Sequence, residues 1–270
     1  MKFSFKAGRG VVRFVHMFNY PEGISKEEGD RWYMEEHVPK VKALPGVVRY
    51  NSWEALPPIK MWTFDPYDRF TRLTELVFED MESCLNGTIR NPELWASGTE
   101  GHPGFRELEC VLLDEEPQYD LLKDIPVQQY KYINYPGRYT HGKMMDDDAD
   151  DVIMDVYMFN YAPKFTTEEG EDWYLGHHTR EGRITKRMGH KHYQTWLALK
   201  TPEEKGSVLN PNRFYRLSEL GLPPYALGKM DLKPGQKPAL MTYTQDPRGQ
   251  VVGEWRNILI DPDKVQDLLK

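Results

Sequence analysis

The chain has 270 residues, and its 35 Lys and Arg against 42 Asp and Glu give a formal net charge of −7 at pH 7. An acidic balance disfavours a surface for nucleic-acid phosphates, and an aromatic share of 13% is too high for a disordered chain. No apolar stretch of about 18 residues occurs and the N-terminus lacks a signal-peptide pattern, so we expect a cytoplasmic protein without a membrane partner. Cys84 and Cys110 lack CxxC spacing, so we expect reduced, buried thiols.

An internal repeat divides the sequence into two similar units. Residues Trp32–Tyr50, WYMEEHVPKVKALPGVVRY, are echoed by Trp173–Tyr193, WYLGHHTREGRITKRMGHKHY. Flanking motifs repeat as well, because Phe18-Asn19-Tyr20 returns as Phe159-Asn160-Tyr161. Self-similarity of this kind indicates a tandem duplication. We predict a first domain over residues 1–115, a linker over 116–150 and a second, diverged domain over 151–270.

The first unit is predicted to alternate strands and helices. Strands are expected at 11–19, 47–56, 69–78 and 107–113, where β-branched and aromatic residues are frequent. Ser25 and Glu28 form a capping-box pattern that begins a helix running to about His37. Pro45-Gly46 then turns the chain into the second strand. A further helix is expected from Asp80, and a short one around 92–96.

The second unit follows the same order with weaker signals. Strands are expected at 152–160, 190–199, 213–222 and 254–260, and the capping-box pattern of Thr166 and Glu169 begins a helix that runs to about His178. Each unit is therefore β-α-β-β-α-β, the ferredoxin-like pattern of an α+β protein. The acidic run Asp146–Asp151 lacks the glycine and closing glutamate of a calcium loop, so we interpret it as a solvated linker.

Alternation along the first strand of each unit separates two faces. Val15 and Met17 match Val156 and Met158, and all four are apolar, so this face is predicted to pack on helices. The opposite face is predicted to line a cavity. It carries Phe14 and His16 in the first unit and Asp155 and Tyr157 in the second.

The first repeat contains a motif that consists of Trp32-Tyr33-x-x-Glu36-His37-Val38-Pro39, followed by Leu44-Pro45-Gly46-Val47. This motif resembles the EthD-like family of the dimeric α+β barrel superfamily. The resemblance covers the first repeat well and the second through its framework only, because Thr179-Arg180 replaces Val38-Pro39 and Met188-Gly189 replaces Pro45-Gly46. It implies two ferredoxin-like units whose sheets pair into a barrel, here within one chain, and it leaves a homodimer of the whole chain open. Members similar to this chain handle small, often aromatic, substrates as isomerases, polyketide cyclases, decarboxylases or monooxygenases, with haem enzymes as more distant relatives.

Four residues are candidates for proton transfer. His37 is the first, because an imidazole titrates near neutrality and can both remove and return a proton. His178 occupies the repeated position, and His16 and Asp155 lie on the expected cavity face. The alternatives are a helix-terminal histidine near free carbonyls and a satisfied structural network for the strand residues.

Further residues are candidates for holding a substrate. Arg49, Arg72 and Arg216 could bind a carboxylate through a bidentate fork, although the duplicated Arg72 and Arg216 could instead pair with glutamates or neighbouring strands. His192 replaces Arg49 in the second unit. Aromatic candidates, which could equally be core or rim residues, are Trp32, Tyr50, Tyr157 and Tyr193.

We expect no metal or nucleotide cofactor. His190 and His192 share a strand face, but no helical ligand motif such as HExxH accompanies them, and neither GxGxxG nor GxxxxGK[ST] occurs. The favoured function is a cofactor-independent lyase, a decarboxylase or ring-opening enzyme, acting on a small aromatic carboxylic acid with His37 as general acid and base. Alternatives are a cofactor-free isomerase or polyketide-type cyclase, a haem-dependent oxidoreductase with His178 on the iron, and a non-catalytic module that binds an aromatic ligand.

Overall fold

The computed structural model describes residues 10–56, 70–122, 152–179, 192–222, 245–246 and 249–270. The strands are β1 Val12–Asn19, β2 Val47–Glu54, β3 Arg72–Phe78, β4 Arg106–Asp114, β5 Tyr119–Asp120, β6 Ile153–Tyr161, β7 His192–Leu197, β8 Arg216–Leu222, β9 Gln245–Asp246, β10 Gly249–Gln250, β11 Val252–Ile260 and β12 Gln266–Asp267. The helices are α1 Lys26–Trp32, α2 Val38–Lys42, α3 Met81–Gly87 and α4 Thr167–Trp173, with a 3-10 turn at Pro262–Lys264. The helix expected around 92–96 is a run of turns instead.

Two five-stranded antiparallel sheets form the body of the molecule. Sheet A has the order β12-β2-β3-β1-β4, and sheet B has the order β5-β7-β8-β6-β11. The two orders match strand for strand, and four strands of each give the predicted ferredoxin-like arrangement. The fifth strand of each sheet comes from outside the unit that forms the other four. Strand β12 of sheet A lies at the end of the predicted second domain, and β5 of sheet B lies in the predicted linker. Residues 119–120 of the predicted linker are therefore part of sheet B, while residues 123–151, with the acidic run, lie outside the described residues.

The principal helices begin where the capping motifs predict. Ser25 Oγ accepts a hydrogen bond from the Glu28 amide, and Thr166 and Glu169 form a reciprocal capping box. Each helix then packs closely on the end of its first strand. Gly29 and Gly170 permit this approach, because a Cβ at either position would overlap the ring of Tyr20 or Tyr161.

An apolar core lies between the two sheets and corrects the predicted assignment of faces. Val15, Met17, Val156 and Met158 pack here with residues from both sheets, rather than against helices. The face that was expected to line a cavity between the sheets lies beneath the helices, with His16 on sheet A and Asp155 on sheet B. The physical reason is that the two sheets bury these apolar side chains against each other, so the opposite face of each sheet is turned away from its counterpart.

The two sheets also meet at two edges. Ala55 bridges Ile260, and the Leu199 amide donates to the Leu112 carbonyl oxygen over 2.7 Å. These contacts join β2 to β11 and β4 to the end of β7. The architecture is thus α+β, with two antiparallel sheets packed face to face and helices on the outside.

Two smaller predictions concern the cysteines and membrane-spanning helices. Cys84 and Cys110 are free and buried, as predicted. Within the described ranges, no helix is both long and apolar enough to cross a bilayer.

Candidate functional site

A buried arginine, Arg72, holds together a network of polar side chains beneath the helices of sheet A. We call this network the frame of the sheet. Arg72 donates through Nε to Asp30 of α1 over 2.8 Å and through one terminal nitrogen to Ser52 and to Gln266 of β12. Its second terminal nitrogen reaches Glu54. All three guanidinium nitrogens of Arg72 are therefore engaged by side chains of the protein, and we assign this residue a structural role rather than a substrate contact.

Sheet B has the same frame around Arg216. Its Nε and a terminal nitrogen reach the Glu171 carboxylate at 2.6 and 2.5 Å, and its other bonds go to Thr195 and to Gln118 beside β5. Arg216 is 0% exposed and its partner Glu171 is 2% exposed. The predicted carboxylate-binding function of Arg216 is thus replaced by a buried ion pair.

A chain of hydroxyl groups extends from each frame. On sheet A, Tyr50 donates to the hydroxyl of Tyr33 over 2.9 Å, and Tyr33 lies 3.0 Å from Thr74 Oγ1. On sheet B, the hydroxyls of Tyr193 and Tyr157 are 3.1 Å apart, and Tyr157 continues to Tyr174. Tyr50, Tyr157 and Tyr193, predicted to contact substrate, are all fully buried members of these chains.

A π-helical turn follows α1 and α4 at the same place in each repeat. The turns span Tyr33–His37 and Tyr174–His178, and in each the next backbone amide donates back to the tyrosine carbonyl five residues earlier. Such turns are rare and frequent at functional sites. They stack His37 on Tyr33 at a ring-centroid distance of 5.4 Å, and His178 on Tyr174 at 5.5 Å.

His37 and His16 meet in a box of aromatic rings beneath the helices of sheet A. Both imidazoles lie edge-on to Trp95, at 5.1 Å for His16 and 5.2 Å for His37, and both contact Phe105. Trp32 lies 5.7 Å from His37 and is half-buried, so it stands at the rim of the box. The structure therefore brings together three predicted site residues, His16, His37 and Trp32.

The two imidazoles lie in the interior of the protein, and three of their four nitrogens have no hydrogen-bond partner among the described residues. His16 is 0% exposed and His37 is 2% exposed. Among the described residues, neither ring nitrogen of His16 nor the Nε2 of His37 has a hydrogen-bond partner. Burial lowers the pKa of His16 well below its usual value, with a smaller effect from His37. Burial, with a smaller effect from Lys40, lowers the pKa of His37 to about 3, so both rings are neutral at physiological pH.

Trp95 and Phe105 were not predicted as site residues. Both come from the irregular segment between α3 and β4, where no strand or helix period indicates which way a side chain faces. Trp95 is fixed by a 2.9 Å hydrogen bond from its indole nitrogen to the Gly87 carbonyl, and its ring stacks on Phe105. The only sequence signal was the presence of large aromatic residues in an otherwise polar segment.

The corresponding space beneath the helices of sheet B has different contents. Strand register places Tyr157 where sheet A has His16, and Asn257 where it has Cys110. Asp155 lies two residues before Tyr157 on β6, on the same face of the strand, and accepts a 3.0 Å hydrogen bond from Asn257. Asp155 and His16, predicted to act in one cavity, therefore lie on opposite sides of the inter-sheet core.

Arg49 lies in a third place, a cleft of about 580 Å³ that is also lined by Arg13, Glu75 and Glu219. Arg49 pairs with Glu75, and His192 contacts Glu219 at 3.3 Å. Arg13 bridges both glutamates, at 2.6 and 3.1 Å. Neither Arg49 nor His192 joins the aromatic box, so the predicted contacts to a common substrate are not supported by their positions.

The metal and haem expectations concern the histidines of the second unit. No group of three or more His, Cys, Asp or Glu side chains within the described part of the chain has the spacing of a metal site. His190 lies outside the described residues. His178, the expected haem ligand, is half-buried and stacks on Trp173 and Tyr174, and its role on an iron stays a prediction.

No protein-family model and no curated protein matches the chain. Solved structures do resemble it. An anthrone oxidase-like protein is 12% identical with a TM-score of 0.51, and the match covers 98% of this chain and 95% of that one. A chlorite dismutase from Candidatus Nitrospira defluvii is 9% identical with a TM-score of 0.45, over 93% and 91% of the two chains. A candidate monooxygenase from Fusobacterium nucleatum subsp. nucleatum is 12% identical with a TM-score of 0.41, over 96% and 94%. At such identities the likeness concerns the fold alone.

Proposed function

We propose that the chain is an enzyme that moves a proton on a small, uncharged aromatic substrate in the box formed by His16, His37, Trp95 and Phe105. The observation that carries this proposal is the burial of two neutral imidazoles against the same two rings, with three ring nitrogens unpartnered among the described residues. A buried polar group without a partner costs about 1–3 kcal/mol. Such groups are retained where a ligand completes them.

The surroundings favour an uncharged substrate over a carboxylate. Around the pair, the described side chains are mainly aromatic, and Arg72 has its donors engaged. Lys40, which affects His37, is exposed. A substrate carboxylate in the box would be buried without a cation beside it. This supports isomerisation or cyclisation of a phenol or an enolisable ketone, whereas decarboxylation of an aromatic acid stays the less favoured prediction.

The two imidazoles divide the work of an enolisation. His37 accepts a proton from an acidic C–H of the substrate through Nε2 and becomes imidazolium. His16, still neutral, donates its N–H to the oxygen on which negative charge develops, a role that suits an imidazole whose pKa is lowered. The enolate beside His37 favours the imidazolium form. His37 then returns the proton to a different atom of the substrate, so no cofactor is consumed.

Deuterium exchange tests this proposal without knowledge of the net reaction. Uncharged enolisable aromatic ketones are incubated with the protein in D₂O at neutral pH, and loss of the acidic C–H signal is followed by ¹H NMR. We expect wild type to accelerate exchange of at least one compound, and His37→Gln or His16→Gln to reduce the rate by about 100-fold or more.

The exposed His102 provides a matched control, because His102→Gln changes the same side chain outside the box. We expect this variant to exchange at the wild-type rate. Equal rates in all four proteins would contradict the assignment. Binding of the ketones without exchange by wild type would instead favour the non-catalytic binding module.

Two finer assignments belong with this proposal. We propose that the chain is EthD-like, on the strength of the motif from Trp32 to Val47, and that it arose by tandem duplication. The matching strand orders of the two sheets and the repeated arginine frames support the duplication. The haem alternative has no specific observation in its favour.

A further inference from the structure

We propose that the space beneath the helices of sheet B is a separate binding site for a small organic cation with N–H donors, held by the Asp155 carboxylate and the carbonyl oxygen of Asn257. An amidine or a primary amine has the required chemistry. This site is independent of the proposed proton transfer in the other half.

The two residues form a buried pair with an unpartnered hydrogen-bond acceptor. Asp155 is 2% exposed and Asn257 is 0% exposed. Asn257 Nδ2 donates to Asp155 Oδ1 over 3.0 Å, which uses one of its two N–H groups. Its carbonyl oxygen has no partner among the described residues. A ligand with two N–H groups would satisfy this oxygen and the carboxylate together.

Within the described part of the chain, the pair also has no counter-charge. Glu171, a buried carboxylate of α4, is neutralised by Arg216, but no ion pair to Asp155 occurs within the described residues. Burial accordingly raises the pKa of Asp155 to about 7, and only the bond from Asn257 opposes this effect. A cation in the site would stabilise the ionised carboxylate and offset the cost of burying it.

An aromatic surface lies next to the pair. Tyr157 is directly opposite Asn257 in the strand register, and its ring stacks on Trp255 with a centroid distance of 4.4 Å and an interplanar angle of 9°. Trp255 is half-buried, so this stack reaches from the buried pair towards solvent. Aromatic faces attract organic cations, which adds a second reason for this ligand class.

The site is specific to sheet B. At the corresponding positions, sheet A carries Phe14 in place of Asp155 and Cys110 in place of Asn257. Neither replacement offers a charged acceptor. A cation that bound through the repeated frame, rather than through this pair, would bind both halves equally.

Calorimetric titration with three ligands of similar shape tests the proposal. Benzamidine is cationic with N–H donors, benzamide is neutral with N–H donors, and benzoate is anionic without them. At pH 8, where Asp155 is ionised, we expect benzamidine to bind best, benzamide at least about tenfold more weakly, and benzoate not at all. We expect Asp155→Asn to weaken benzamidine by about tenfold or more and so to remove its advantage over benzamide.

Asp172→Asn provides the matched control, because it removes an exposed carboxylate from the adjacent helix, and it should leave benzamidine affinity unchanged. Asn257→Leu, in a protein that retains its circular dichroism spectrum, should weaken both nitrogen ligands. The proposal is overturned if benzamidine fails to bind at millimolar concentration or binds Asp155→Asn as well as wild type. It is also overturned if a crystal structure with benzamidine shows only a water between the two side chains.

Discussion

The spaces beneath the helices of the two sheets have the same supporting frame around different contents. In each, a buried arginine pairs with a carboxylate of the helix. A tyrosine of the π-helical turn also bonds to a strand tyrosine, which is Tyr50 of β2 in sheet A and Tyr157 of β6 in sheet B. Within that frame, sheet A carries two neutral imidazoles and sheet B carries a carboxyl and a carboxamide. The same kind of supporting contact therefore holds different buried groups in the two halves of the molecule.

The largest expected effect comes from breaking the frames themselves. Arg216→Met should cost about 3–5 kcal/mol of unfolding free energy, because it leaves the Glu171 carboxylate buried and unpaired. Arg72→Met should cost less, since its partners Asp30 and Glu54 have side chains that are 20% and 46% exposed and can be hydrated. Urea denaturation of both variants measures the difference. Equal losses would mean that the frames are energetically equivalent despite their different burial.

The buried imidazole of His37 should make the folded protein less stable in acid. The pKa of His37 is lowered from 6.5 to about 3 in the folded protein, so below pH 6.5 the unfolded chain binds a proton that the folded chain does not. Stability from this residue is present above pH 6.5 and is lost as the pH falls. Between pH 7 and pH 5 the loss is about 2 kcal/mol. We expect the stability difference between wild type and His37→Gln, measured by urea denaturation at both pH values, to change by that amount. A difference that stays constant would contradict the burial of a neutral imidazole.

The buried carboxyl of Asp155 should have the opposite effect on stability, which it should increase in acid. The pKa of Asp155 is raised from 3.8 to about 7, so between these values the folded protein holds a proton that the unfolded chain has released. Stability therefore increases as the pH falls from 7 to 5, by about 2 kcal/mol relative to Asp155→Asn. Urea denaturation at both pH values measures this. A difference that is constant between pH 7 and pH 5 would contradict the burial of an uncompensated carboxyl.

The smallest expected effect concerns the two chains of hydroxyl groups, which should contribute equally to stability. Tyr50→Phe removes the hydrogen bond to Tyr33, and Tyr193→Phe removes the bond to Tyr157. Each should cost about 1 kcal/mol, because the remaining hydroxyls of each chain keep other partners. Thermal or urea unfolding of the two variants should give values within about 0.5 kcal/mol of each other. A much larger cost for one would show that its hydroxyl chain also supports the contents of the site.

Much of the fold followed from local sequence signals. Capping motifs, the Pro45-Gly46 turn and strand alternation gave the principal helices and the main strands of both units, because these features depend on residues close in the chain. Alternation also showed which residues share a face. It could not show which layer each face meets, since that depends on how two sheets pack, and Val15 and Met17 were consequently assigned to the wrong layer.

The site was predicted less completely for the same reason. His37 and Trp32 were found through a motif, and His16 through alternation. The sequence could not separate His16 from Asp155, because the two strands are repeats and nothing local places them on opposite sides of a core. Arg72 and Arg216 looked equally suited to a substrate and to an ion pair. Only the positions of Asp30 and Glu171 on the packed helices distinguish these alternatives.

The exchange of the fifth strands has a consequence for synthesis of the chain. Gln266 of β12 accepts a hydrogen bond from Arg72, so the arginine of the first unit gains this partner only after nearly all of the second unit has been made. Sheet B, by contrast, finds Gln118 and β5 already synthesised when its own strands emerge. The sheet that leaves the ribosome first is therefore the last to be completed, and during translation its second strand stays an open edge.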